Sequence, residues 1–503
     1  MGIIEGLTSG FLQAISLDVF PYLFVGAVFG LIIGVIPGLS GHFAMAMVIP
    51  FLYSMEPAAG IAFLLGAHST VAQGGGLTAI LFSTPGTGQN AATLLDGPPM
   101  RNMGLGGMAA GAALTACFLG ATFGAVVLAL LLPVLQQVVL FFGPPEIFVL
   151  AFLALTFVAV LGKEDLTRSL IAALTGLLLA MIGLDNVTNQ ERFTFGLLEL
   201  RDGLELVPVI LGLFAVAEMF ELWVKGGSLA GAQTSPLSAK ETQTQIFRGV
   251  IEAFRRWWLV MRCSAIGAAM GLIPGLGSAP ASFVAYGHAK QSSNSKETFG
   301  KGNIEGVIGS ESANDAVEGG ALASTIAFGV PGSSSMAILL GALFILGQET
   351  GPNMVTYHVD VVFVMIFTII IGNFIGMLGG MFLVNPLSRA TGLRGSLLVP
   401  VLIAIVFTGA FAVQRSWFDI GIALFFGVFG YWMKELDYSR AALLIGFVLG
   451  FAVEKNLYLA VQLSGPYFVF DPIPLTLASI TIAFLAYNIW GIIRDRRREK
   501  SNA

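Results

Sequence analysis

GVIPGLSGHF, residues 34–43, closes one apolar run, and GLIPGLGSAP, residues 271–280, closes another. Proline has no N–H to give a helix and clashes with the turn before it, and glycine takes backbone angles other residues resist. Pro-Gly inside an apolar run therefore ends one half-helix and lets a second begin. The composition sets the medium in which this happens. Of 503 residues, 56% are hydrophobic and only 11% charged, with a mean hydropathy of +0.84. So few charges cannot coat a soluble protein of this length. Runs of about 18 or more apolar residues match a bilayer core about 30 Å thick. They occur at 17–36, 105–132, 145–161, 206–224, 361–384 and 474–492. With the broken segments between them, the expected fold is an all-α polytopic membrane protein of about 10–12 spans.

The breaks come in a repeated order. Gly34-Val-Ile-Pro-Gly-Leu39 answers Gly271-Leu-Ile-Pro-Gly-Leu276, and GGGLTAILFSTPGTG (74–88) answers GGALASTIAFGVPGS (319–333). Pro37 and Pro85 are 48 residues apart, Pro274 and Pro331 are 57 apart, and the polar segment HAKQSSNSKETFGKGN (288–303) accommodates the excess. An internal duplication is the simplest source of this pattern. The division that follows is a first membrane repeat (1–224), a Gly/Ser/Thr-rich linker (225–245), a second repeat (246–493) and a basic tail (494–503). Basic residues mark the cytoplasmic side. RDRRREK (494–500) and the connector from Lys225 to Arg262 are basic, whereas no Lys or Arg precedes Arg101. The expected C-terminus is cytoplasmic, the N-terminus periplasmic and the two repeats inverted. Glu5 and Asp18 flank an N-terminal run without basic residues, so the first helix is read as retained rather than as a signal peptide.

Freed backbone groups at a break cannot face lipid; they are buried in protein or line a wet cavity. The start of a half-helix favours an anion, and unwound carbonyls can hold a small cation. Each break carries hydroxyl or small residues. The substrate-binding candidates are Gly38 and Ser40; Gly86, Thr87, Gln89 and Asn90; Gly275 and Ser278; and Gly332, Ser333, Ser334 and Ser335. Asn314, just before the fourth break, joins them. Thr84, Ser312 and Asn314 are the cation candidates. Glu311 and Asp315 share one helical face and either line a cation site or point to the cytoplasm; they rank below Asn314 and Ser312, because a carboxylate site avoids fixed negative charge. Asp96, ahead of Gly-Pro-Pro, reads as a turn cap. His42 and His68 lack metal-ligand spacing and read as packing groups, as do Cys117 and Cys263. Trp223, Trp257, Trp258 and Trp490 sit near basic ends, as interfacial anchors do.

The assembled motifs resemble one family, the large membrane subunit of the tripartite tricarboxylate transporters (TctA type). The resemblance rests on Pro37-Gly-Leu39, TAILFSTPG (78–86) and DGPPM (96–100) in the first half. In the second it rests on GLIPGLG (271–277), TFGKGNIEGVIGSESANDA (298–316) and FGVPGSSSMAILLGAL (328–343). Pro98, Ser83 with Thr84, and Asp315 depart from the family's usual pattern and bear on substrate identity. The resemblance implies a bacterial inner-membrane symporter for di- or tricarboxylates, with Na⁺ as coupling ion and no cofactor. Its implied partners are a small membrane subunit and a periplasmic substrate-binding protein, with the lipid bilayer around it and no nucleic acid. A transporter or channel that needs no binding protein is the alternative. A membrane-embedded enzyme finds no support, because the chain has no His-Glu-x-x-His, Ser/His pair or intramembrane aspartate dyad.

Overall fold

A computed structural model describes residues 2–36, 38–84, 86–161, 166–185, 189–225, 239–273, 277–389 and 399–502. Nearly all of them are helical; the strands among them are the two-residue pair Gly183–Leu184 and Glu191–Arg192. Among the described residues, four helices are long and apolar enough to cross a bilayer: Gly106–Phe141, Leu206–Val224, Val359–Leu387 and Arg440–Ser464. Shorter apolar helices, such as Phe20–Val35, Gly41–Ser54 and Ser334–Ile345, accompany them. The chain is an all-α polytopic membrane protein. It gathers into two compact units, Met1–Gln136 with Leu206–Trp432, and Gln137–Glu205 with Met433–Ala503.

The first unit contains both breaks of each half. Its first half runs through α1 (Phe20–Val35), α2 (Gly41–Val48), α3 (Pro57–Phe82) and α4 (Gly106–Val138). Next comes the span Leu206–Val224, π-helical over Leu211–Val216 and finishing in α5 (Ala217–Lys225). The second half supplies α6 (Trp257–Gly271), α7 (Ser278–Ser292), α8 (Ile304–Phe328) and α9 (Ser334–Ile345). Pro37, Pro85, Pro274, Gly275 and Leu276 lie outside the described residues, as do linker residues 226–238; from Ala239 the chain is helical.

Glycines pair the helices in the same way in both halves. Gly30 and Gly34 of α1 lie on the carbonyls of Ala67 and Val71 in α3, and Gly267 and Gly271 of α6 lie on those of Ala313 and Val317 in α8. Gly74 returns the contact to Gly34, and Gly320 returns it to Gly271. Small residues let backbones approach this closely, which is how membrane helices associate without a hydrophobic drive between them. Both long helices end in a left-handed residue, Ser83 (φ 55°) and Gly329 (φ 65°), which turns the chain back on itself. Gly86 then packs on Gly75 and Thr78, while Gly332 packs on Ala321 and Ser324. Pro331 is 246 residues beyond Pro85, and these contacts keep the same spacing.

Packing makes α3 and α8 the innermost helices. Every residue of α3 from Leu64 to Phe82 is buried, and in α8 every residue from Gly306 to Ala327 except Glu318. Both are rich in Gly, Ser and Thr, because protein rather than lipid surrounds them. His68 Nε2 of α3 meets Glu318 Oε2 of α8 at 3.0 Å, an ion pair joining the halves when the ring is protonated.

In the second unit, Gly176 and Gly446 let helices Leu166–Ala180 and Arg440–Ser464 cross backbone to backbone. The segment 190–203 begins at the strand pair. Arg192 fastens it to Glu454 (2.5 and 3.0 Å) and Asp185 (3.3 Å), while Phe195 and Leu198 stay exposed. The tryptophans Trp223, Trp257, Trp258 and Trp490 are all exposed, as interfacial anchors require.

Candidate functional site

The two half-helices that follow breaks, one from each half, begin side by side. Ser40 caps α2: its hydroxyl accepts the Phe43 N–H (3.2 Å). Ser333 caps α9 by accepting the N–H of Met336 (3.2 Å). Ser/Thr side chains hold this position because they replace one of the partners the first turn lacks. His42, in the first turn of α2, reaches Ser334 Oγ in the first turn of α9, with Nε2 at 2.6 Å. Its ring lies 5.1 Å from Phe214, in the π-helical stretch. Two helix starts thus share one place, each bringing the positive end of its dipole there.

A third element closes on them. Glu218 of α5, 3% exposed, accepts the Ser40 N–H (3.0 Å) on one carboxylate oxygen and the Ser40 hydroxyl (2.7 Å) on the other. Sequence reading passed over Glu218, treating 206–224 only as an apolar span. The signal was there: an acid in the middle of AVAEMFELW (215–223), at membrane depth, where ionisable groups are functional candidates.

The second break of the first half meets α8. Thr87 donates to Asn90 Oδ1 (2.7 Å), and Asn90 Nδ2 donates to the Ala72 carbonyl (3.0 Å) and to both Glu311 oxygens (3.1 and 3.2 Å). Thr93 Oγ1, Cys117 Sγ and Asn314 Nδ2 also donate to Glu311. Glu311 is wholly buried and Asp315 nearly so, so neither points to the cytoplasm. Cys117, read as a packing residue, spends its S–H on this carboxylate. Asn314 Oδ1 and Asp315 Oδ2, both buried, have no hydrogen-bond partner among the described residues.

The sequence profile of the tripartite tricarboxylate transporter TctA family matches residues 20–445. The chain belongs to the tripartite tricarboxylate transporter TctA family. It is also similar, at 30% identity over 99% of its length and 98% of the relative's, to an uncharacterized 52.8 kDa protein in the TAR-I ttuC' 3'region of Agrobacterium vitis. A second protein of that organism, from the TAR-II ttuC' 3'region, is 29% identical over 46% of this chain and 97% of its own length. No solved structure matches. TctA is a transporter family; the His42–Ser334 contact is a Ser/His pair that the sequence alone did not show.

The remaining candidates in this TctA chain fall into different settings. Gly38 is exposed with φ 92°, and Gly275 lies outside the described residues. Gly86, Gly332 and Ser335 are buried, Gln89 half-buried, and Ser278 opens α7 behind Gly277. Of the cation candidates, Thr84 is exposed with its hydroxyl 3.4 Å from the Phe82 carbonyl, and Ser312 spends its hydroxyl on the Gly309 carbonyl of its own helix (3.3 Å). Of these three, Asn314 is the one whose buried side-chain oxygen has no hydrogen-bond partner among the described residues. Among the described residues no three His, Cys, Asp or Glu side chains gather as metal ligands.

Asp96 caps a turn, but one in the other half. Its Oδ1 accepts the N–H groups of Gly300, Gly302 and Asn303 (2.9, 2.8 and 2.8 Å), and its Oδ2 accepts the Tyr286 hydroxyl (2.9 Å). Hydrogen bonds to a charged group contribute about 1.5–3 kcal/mol each and are not additive. Asp96→Ala is expected to lower stability by about 2–4 kcal/mol, with segment 295–303 becoming open to proteolysis. Unchanged cleavage and unfolding temperature would show that the clasp contributes nothing.

Proposed function

We propose that this chain is the transporting membrane subunit of a secondary importer for di- or tricarboxylates in the bacterial inner membrane. A periplasmic binding protein delivers the substrate, a small membrane subunit accompanies the chain, and Na⁺ drives uptake. The C-terminus lies in the cytoplasm and the N-terminus in the periplasm, which makes the two repeats inverted. The observation that carries this reading is the meeting of α2 and α9 at Ser40, His42, Ser333 and Ser334. A helix start stabilises an anion by about 0.3–1 kcal/mol, and by up to about 2 when partly buried. Two such starts from opposite halves suit a substrate with more than one carboxylate. The buried, unpartnered oxygens of Asn314 and Asp315 support the cation part of the reading.

Uptake by proteoliposomes holding the chain and its partner subunits tests it. Removing Na⁺ should abolish accumulation, and omitting the binding protein should reduce it to background. Persistence without Na⁺ removes the coupling, and persistence without the binding protein favours an independent carrier. Ser333→Ala should raise KM about five- to tenfold, the equivalent of about 1 kcal/mol lost from a cap and a hydroxyl. An unaltered KM in a folded variant would place the substrate elsewhere.

A further inference from the structure

The donors at the start of α2 are already engaged by a carboxylate that belongs to the protein. Glu218 holds the N–H and hydroxyl of Ser40 through its two oxygens, in the geometry with which a free carboxylate would occupy a helix start. It lies two residues beyond the π-helical stretch Leu211–Val216. A π turn spans i to i+5 instead of i to i+4, so it carries one residue more than the α-helix needs, and such stretches cluster at functional sites. The same stretch supplies Phe214, against His42. One helix segment therefore meets the start of α2 twice, at Ser40 and at His42.

We propose that Glu218 is a tethered competitor, holding the anion position at the start of α2 in the unloaded protein until a substrate carboxylate replaces it. This rests on the carboxylate site proposed above and adds its regulation. Two carboxylates cannot share one pair of donors at hydrogen-bond distance, because like charges that close repel and neither gains a proton or cation from Ser40. Substrate entry therefore requires Glu218 to leave. The π stretch provides the movement: passing its extra residue along the helix turns α5 by one residue, about 100°, and swings Glu218 off Ser40 without unfolding the span. The tether keeps the donors paired when the site is empty, so the half-buried Ser40 N–H keeps an acceptor.

The test uses the full chain in lipid nanodiscs, titrated with succinate, malate and citrate. Glu218→Gln keeps the shape and the acceptor oxygen but removes the charge, and should bind whichever of these acids the wild type binds about five- to tenfold more tightly. Equal or weaker binding by the folded variant overturns the competitor. Wild-type binding that Ser333→Ala weakens, with no gain in Glu218→Gln, sinks the competitor and spares the carboxylate site. Binding to neither protein sinks both. Should Glu218→Gln not fold, hydrogen exchange on the wild type decides. Adding the bound acid should slow the amides of 41–43 and speed those of 211–218, and slowing at both would mean that Glu218 closes on substrate instead of leaving.

Discussion

Glu311→Ala is expected to cost about 3–5 kcal/mol and to leave little folded protein, because it strips a buried acceptor out of a network built around it. Asn90, Thr93, Cys117 and Asn314 all donate to this one carboxylate. Without it, four buried donors from three separate parts of the chain face an apolar hole. Water cannot fill the gap cheaply, since the surrounding stretch of α8 is buried almost throughout. Glu311→Gln keeps the volume but turns an amide N–H₂ toward donors, and should fall between the wild type and the alanine variant. Thermal unfolding in detergent, followed by size-exclusion fluorescence, measures both. An alanine variant that unfolds within a couple of degrees of wild type would show that the network is decoration.

The second large effect is expected at Gly34→Ala and Gly271→Ala. A Cβ at Gly34 would run into the Val71 carbonyl oxygen, and one at Gly271 into that of Val317. Neither obstacle is a flexible side chain that can turn aside. Overpacking costs about 1–3 kcal/mol where neighbours yield, and more where they are backbone, so about 3 kcal/mol or more is expected at each. The two losses should be alike, because the same helix crossing is built twice. Gly287 is the control. It lies mid-helix in α7 with nothing near its missing Cβ, so Gly287→Ala should be neutral or stabilise by up to about 1 kcal/mol. If Gly34→Ala behaves like Gly287→Ala, the close crossing is not a determinant of the fold.

Local chemistry made part of this fold readable. Ser40 and Ser333 stand out in the sequence as hydroxyls beside breaks, and the structure adds that each caps the half-helix that follows it. The glycines of α1 and α6 repeat at a spacing that sequence comparison detects directly. The limits lie where partnership is distant. Ser40 meets Glu218 across 178 residues, and no local pattern announces which acid will bond which cap. Glu311 sits on a helix whose neighbours look the same whether that face meets water or protein, so its burial could not be read from composition. Hydropathy also undervalues α3 and α8: it registers lipid contact, and these helices make almost none. Asp96 was legible as a turn cap, but the loop it holds lies more than 200 residues away.

That clasp has a thermodynamic side. Two identical copies of one motif would exchange shapes at no net cost, each copy as content in the other's conformation as in its own. The Asp96 clasp has no twin: the residue 246 places on is Ala342, and the polar segment it grips occurs in one half only. The degeneracy is lifted. A few kcal/mol placed on one member of a balanced pair moves its population by orders of magnitude.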